Sequence, residues 1–408
     1  MRTSLPVAAA VLVSIFGLVS GPTGCRSRDT VSIPAQPYDQ CSDTARPSQI
    51  AKPIAEALAS EKTASTGPVA VPKNILAISG GGQYAAYNAG LLVGWSESKT
   101  RPTFDVVTGI SSGAIVAAYA FLGEKYDPNL QRFFTTVSDK DLFSYRPVVQ
   151  LIRNGAIADP KKLIDLIERE TGDQFFFDLK QAHAAGRRLF IGTMNVRTRR
   201  VTIWDVGAIA CSQRAESREI VRKIFLAAGS IPGLLPSVKF EVEIGGVHYC
   251  EEHVDGGAAS QTFIRLGPGA QQPALGATGW LKGSNLYSMA AGKLYAPQLE
   301  GKLGFLRRIT STISAALYAL FRAELLGQYA FCATSGMKFH MIAIPEDAEA
   351  PKNSTTFDKV SMNKLFRLGY DSSRSGIRWR FTPPGAEPCE EESPRDHAAS
   401  IRTVDDKR

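Results

Sequence analysis

The sequence predicts an α/β fold, with a mostly parallel central sheet, helices on both faces and antiparallel hairpins extending it. Three observations predict this. Strand-like and helix-like runs alternate from residue 73 onward, which is the order a parallel sheet with crossover helices requires. Two later pairs of β-branched and aromatic runs are separated by short polar or Gly-Gly turns, the signature of hairpins. Glycine-rich turns stand where the first two strands hand over to helices. At 408 residues the chain can bury a large core.

The N-terminal stretch "MRTSLPVAAAVLVSIFGLVSGPTGC" has one Arg, an apolar run from Val7 to Val19, and small residues before Cys25. That is a secretory signal pattern over residues 1–25. Gly24-Cys25 is similar to a bacterial lipobox, whose Cys becomes the lipidated first residue, although Pro22 stands where an aliphatic residue is usual. The reading is an exported protein of the cell envelope, lipid-anchored to a bacterial membrane, in the periplasm or at the outer membrane. No other run reads as 18 or more apolar residues, so an integral protein is not expected. Residues 26–72 are rich in Pro, Ser, Thr and Ala, with one short helical stretch at 50–62, and read as a tether.

The folded unit is placed at residues 73–375. In it "NILAIS" reads as a buried strand, Tyr84 to Ser98 as a helix, "TFDVVTG" as a second strand and Ala114 to Leu122 as a second helix. "RLFIGTMNV" and "RRVTIWDV" form one hairpin, and "KFEVEI" and "VHYCEEHVDGG" another around Gly245-Gly246. Glu216 to Ala228 is a further helix. "FLRRITSTISAALYALFRAELLGQYA" has apolar residues at 306, 309, 313, 317, 320 and 321, a helical stripe read as core packing in preference to a lipid-facing surface. Residues 376–408 form a tail, charged and free of aromatics after Thr382, where disorder is expected.

Lys and Arg number 47 against 39 Asp and Glu, a formal charge of +8 that favours anionic partners such as phospholipid surfaces or nucleic acid, and that a merely solvated basic surface would equally explain. Cys41, Cys211, Cys250, Cys332 and Cys389 would lie in an oxidising compartment, where one or two disulfides can form. None has metal-site spacing, so no metal is expected.

The chemistry starts at Gly109-Ile110-Ser111-Ser112-Gly113. This is G-x-S-x-G between a strand and a helix, where Gly109 and Gly113 permit the sharp turn that presents the Ser111 oxygen as a nucleophile. Thirty-one residues earlier, Gly80-Gly81-Gly82 also follows a strand. Its backbone amides could cradle a dinucleotide's pyrophosphate, with Glu97 as a loose match to the expected ribose acid. They could equally receive the oxyanion formed when Ser111 attacks an acyl carbonyl, and the neighbouring elbow favours that reading. Of the histidines, only His340 and His397 follow Asp255, as a hydrolase triad in that order would need, and His340 reads as a packed strand residue. Asp255 itself ends a strand before Gly256-Gly257.

Taken in order, Gly80-Gly81-Gly82, Gly109 to Gly113 and Asp255-Gly256-Gly257 resemble the patatin-like phospholipase family. "LAAGSIPGLLPSV" and "FDKVSMNKLFRLGYDSSRSG" are similar to its Pro loop and its late helix. The resemblance implies a three-layer sandwich, a Ser111–Asp255 dyad without a catalytic His, and an oxyanion hole at the glycine turn, with the charge resting on Gly81 and Gly82. It implies hydrolysis of phospholipid or other lipid esters through an acyl-enzyme at a membrane surface, with no cofactor and no nucleic acid. Tyr84 stands where the family has Arg or Lys, so the hole would depend on backbone donors. Three alternatives stay open: an acyltransferase with the same dyad, a non-catalytic envelope lipoprotein on the same fold, and a dinucleotide binder.

Overall fold

The computed structural model describes residues 74–145, 156–264 apart from 245–246, 281–297, 299, 301, and 304–386 apart from 352. The signal pattern, Cys25, the tether, Cys41, and the tail from 387 with Cys389 and His397 lie outside the described residues.

β1 (Asn74–Ile78) leads through the glycine turn into α1 (Ala85–Glu97), and β2 (Val106–Ile110) leads into α2 (Ser112–Leu122). The chain continues through α3 (Asp127–Thr136), a small ribbon of β3 (Ser144–Tyr145) and β4 (Ala158–Asp159), then α4 (Lys161–Glu170) and α5 (Asp173–Ala184). Next come β5 (Arg188–Asn195), β6 (Arg200–Asp205), α6 (Val206–Cys211), α7 (Ser217–Gly229), β7 (Val238–Ile244) and β8 (Val247–Asp255). β9 (Asn285–Met289), α8 (Phe305–Ser335), β10 (Lys338–Ile342) and α9 (Lys359–Ser373) complete the order.

The main sheet runs β10-β9-β1-β2-β5-β8-β7, with β6 beside β5. β10, β9, β1, β2 and β5 are mutually parallel, whereas β6, β7 and β8 pair antiparallel. The fold is thus α/β with a mostly parallel sheet. β2 is buried at every position, as expected of a strand covered on both faces.

Side-chain alternation divides the core between those faces. Leu76, Ile78 and Val107 pack with α1, α2 and α9. Ile75, Ala77 and Val106 point the other way, into a smaller cluster with Phe321, Leu325 and Cys332 of α8. On the larger face α1 and α9 approach backbone to backbone. A Cβ on Gly90 would lie 1.9 Å from the Phe366 carbonyl oxygen, and one on Gly369 would lie 2.1 Å from that of Tyr87.

Two sequence expectations change. Among the described side chains of the apolar stripe in α8 only Phe321 is buried, and Leu317 is 38% exposed. The expected core packing fails because the supporting cluster ends there. α8 is also long and apolar enough to cross a membrane from Arg307 to Ser335, a candidate the count of consecutive apolar residues overlooks. Residues 376–386, assigned from sequence to the tail, pack onto the sheet: Arg380 bridges Met341, and the Trp379 ring lies 5.1 Å from that of Trp95. Cys211 and Cys332 are free thiols, one exposed and one buried.

Candidate active site

β5 acts as a ruler that brings two distant strand ends together. Its first residues pair parallel with β2, ending at Ile110 opposite Gly192. Its last residues pair antiparallel with β8, ending at Asp255 opposite Thr193. β6 occupies the other edge over Phe190–Asn195, so β2 and β8 share one edge and meet end to end. The residue after Ile110 therefore stands beside Asp255. That residue is Ser111.

Ser111 adopts φ 54° and ψ −135°, a conformation that non-glycine residues hold only at a cost of about 1–3 kcal/mol. Its neighbours leave no room for larger residues. A Cβ on Gly109 would lie 2.6 Å from the Gly113 carbonyl oxygen, and one on Gly113 would lie 2.4 Å from that of Ser79. The Ser111 Oγ donates to Asp255 Oδ2 at 2.6 Å. The Gly257 amide donates to Asp255 Oδ1 at 2.7 Å, which is the local use of Gly256-Gly257. Asp255 is 5% exposed. Burial raises its carboxyl to about 6, against the opposing pull of the bonds from Ser111 and Gly257. Its own amide donates to the Ser230 carbonyl at 2.9 Å, so the Pro-containing loop helps fix the carboxylate.

The glycine turn wraps closely around this pair. A Cβ on Gly80 would lie 3.0 Å from the Ser111 Cβ, one on Gly81 would lie 2.0 Å from the Ala291 carbonyl oxygen, and Gly82 has φ +56°. The expected role of Gly80 as an oxyanion donor is corrected. Its amide already donates to the Gln261 carbonyl at 3.0 Å, so Gly80 anchors the turn instead. Among the described residues, the Gly81 and Gly82 amides have no acceptor. A further donor, not expected from the sequence, is Ser112, whose amide opens α2 without an intrahelical acceptor and follows the nucleophile directly. The general elbow geometry is the signal that finds it. The Ser112 Oγ is buried without a partner among the described residues.

Tyr84 supplies no cation: its hydroxyl donates to the Pro351 carbonyl at 2.5 Å. Glu97 lies at the far end of α1, about 18 Å along the helix from the turn, where it accepts from the Tyr370 hydroxyl. It cannot serve a ribose held at the glycines. His340 is three strands away from β2. Its Nε2 donates to Asn285 Oδ1 at 3.1 Å, its ring stacks on Tyr287, and burial lowers its pKa. His253, set aside by chain order, lies two residues before Asp255. Its Nδ1 pairs with Thr193 Oγ1 at 2.9 Å and its Nε2 with Glu251 at 3.0 Å, so both ring nitrogens are engaged away from the dyad.

A narrow apolar cavity of about 80 Å³ starts at Gly82, Ser111 and Ser112 and follows α2 past Ile115 and Ala118 to Tyr119. Glu170 is the single charged residue on its described wall. That carboxylate accepts from the Tyr119 hydroxyl at 2.5 Å and pairs with Arg132 at 2.7 Å. No group of His, Cys, Asp and Glu suited to hold a metal occurs among the described residues.

A strained serine, a buried aspartate, unoccupied amides and an apolar cavity now stand together. Residues 76–266 match the patatin-like phospholipase family. The matched region runs from β1 past Asp255 and includes all three glycine motifs. No curated protein matches the chain. Among solved structures, VipD from Legionella pneumophila is 11% identical, with 75% of this chain and 71% of that chain covered and a TM-score of 0.33. Human GIVD cytosolic phospholipase A2 is 10% identical, with 82% and 63% covered and a TM-score of 0.36. The type III effector protein ExoU is 12% identical, with 73% and 53% covered and a TM-score of 0.27. The chain thus spans less than two thirds of the last two.

Proposed function

We propose that the protein is a serine acyl hydrolase for phospholipid or related lipid esters, using Ser111 as nucleophile and Asp255 as base. The observation that carries this reading is the 2.6 Å Ser111–Asp255 hydrogen bond at the mouth of an apolar cavity. With its carboxyl near 6, Asp255 is ionised at neutral pH and still basic enough to share the serine proton. As that proton moves to Asp255, the Ser111 oxygen attacks the ester carbonyl. The oxyanion is received by the amides of Gly81, Gly82 and Ser112, which need no reorganisation because they are held by the backbone. Asp255 then passes its proton to the departing alcohol, and water repeats the steps on the acyl-enzyme. The acyl chain lies along α2 in the cavity.

We place the catalytic unit at residues 73–375, with 376–386 packed against it, and propose export with lipidation at Cys25. A fluorophosphonate probe tests the chemistry: the native chain is expected to label and Ser111→Ala is not. Equal labelling of both would overturn the nucleophile. Loss of metabolic palmitate incorporation in Cys25→Ser is the expected result for the anchor, and unchanged incorporation would remove it.

A further inference from the structure

The first half of α8 is where the structure departs furthest from what its sequence suggests. Residues 309–321 contain no charge, yet none is buried before Phe321. Phe305 is 76% exposed and Leu317 is 38% exposed. Of the ten large apolar side chains exposed among the described residues, Tyr295, Leu299, Phe305, Leu317 and Leu326 fall within this one part of the chain. A concentration of that kind on a soluble surface marks a contact site.

Topology says where the helix stands. α8 connects β9 to the parallel strand β10, so it runs antiparallel to both. Its end at Ser335 lies by the start of β10. Eleven residues earlier, about 16 Å back along the helix, Glu324 reaches the opposite edge of the sheet. There its carboxylate accepts from the Ser260 hydroxyl at 2.7 Å and from the amides of Gln261 and Thr262 at 3.0 and 3.1 Å. Gln261 is the residue whose carbonyl holds the Gly80 amide. This edge is the one where β2 ends and Ser111 stands. Residues 305–320 therefore overhang the rim on the active-site side, by up to about 24 Å.

We propose that residues 305–320 of α8 seat the protein on an anionic phospholipid surface, with the helix lying in the interface beside the rim that holds Ser111. Charge complementarity selects this occupant. Arg307 and Arg308 are exposed at the start of the helix, next to the uncharged stretch, on a chain of net charge +8. That is the arrangement of an interfacial helix, with apolar residues at the acyl boundary and guanidinium groups at the phosphates. A spanning helix does not fit, because Glu324 and Gln328 in the second half are buried in polar contacts with the protein. The purpose of the seat rests on the lipid-ester reading, but its geometry does not.

The test uses the full chain carrying Cys25→Ser, which removes any lipid anchor, and Ser111→Ala, which leaves the lipid intact. Flotation with phosphatidylglycerol–phosphatidylcholine vesicles is compared with phosphatidylcholine alone. Adding Leu317→Glu is expected to lower partition about tenfold or more. Arg307→Glu with Arg308→Glu is expected to lower it on the anionic vesicles only, by about fivefold per Arg replaced. In the otherwise native chain, Leu317→Glu should leave cleavage of a monomeric soluble ester and the melting midpoint unchanged. Undiminished partition of the Leu317→Glu chain overturns the proposal. So does a Leu317→Glu chain that changes from dimer to monomer in sedimentation while its vesicle binding persists, since a second copy would then be the occupant. A native chain inert towards every ester overturns the hydrolase reading alone, because the flotation result stands without it.

Discussion

Two buried polar clusters sit side by side where β8 meets β5, and they are completed in different ways. In one, Thr193 accepts from the Trp204 indole at 2.7 Å and pairs with His253, whose other nitrogen pairs with Glu251. The His253 ring is packed near Phe240 and Trp204, at 5.1 and 5.2 Å between centroids, and is wholly buried. Every strong donor and acceptor there has a partner. In the other, Asp255 accepts two hydrogen bonds among the described residues, though a carboxylate has room for about four. The adjoining Ser111 backbone is strained and faces a cavity. A saturated cluster adds stability and specificity to the fold, whereas strain, a raised pKa and spare hydrogen-bond capacity together mark the place where a reaction can be received.

The comparison breaks if the second cluster proves dispensable. Ser111→Ala is expected to reduce lipid-ester turnover at least about 10³-fold in a steady-state assay, and retention of a tenth of the rate would refute it. Asp255→Asn should lower kcat by about 10³-fold or more and at the same time stabilise the protein at pH 8. The sign follows from its folded carboxyl lying near 6, above the value in the unfolded chain. The native stability is therefore full below about pH 4 and falls as the pH rises through 6, by up to about 3 kcal/mol. Chemical denaturation of native and Asp255→Asn chains at pH 4 and pH 8 checks this, with a gap expected only at the higher pH.

The pH profile sharpens the same contrast. kcat/KM for a neutral ester should be flat at neutral pH and fall about tenfold per unit below about 6, as Asp255 protonates; a profile flat to pH 4 would exclude this base. His253→Gln should cost about 1–3 kcal/mol of stability in denaturant titration and change kcat/KM by less than about tenfold. If that order reversed, the saturated cluster would belong to the chemistry. His340→Gln, on the far edge of the sheet, should leave kcat/KM unchanged.

The readable parts of the molecule were those governed by local pattern. β1, β2 and the two hairpins appear within a few residues of the runs that announced them, because apolar periodicity is a property of each strand alone. The G-x-S-x-G turn was legible for the same reason, since glycines at 109 and 113 state a packing need that the Ser79 and Gly113 carbonyls impose. What pairing decides was hidden. No pattern in "RLFIGTMNV" says that one edge of β5 serves a parallel neighbour for half its length and an antiparallel one for the rest. That Gly80 donates to structure and not to an oxyanion is invisible in the sequence, because the accepting carbonyl belongs to Gln261, 181 positions away. In α8, periodicity reports that the helix has an apolar face, not whether anything covers it.

The meeting of β2 and β8 along β5 has a further meaning for the life of the chain. Ser111 and Asp255 come from segments separated by 144 positions, and a one-residue shift in the alignment of β8 would turn the carboxylate to the wrong face. A nascent or half-folded polypeptide therefore carries only an ordinary alcohol. On the proposed reading, ester cleavage requires β8 to be docked in register, so activity recovered during refolding should trail the return of helical circular dichroism.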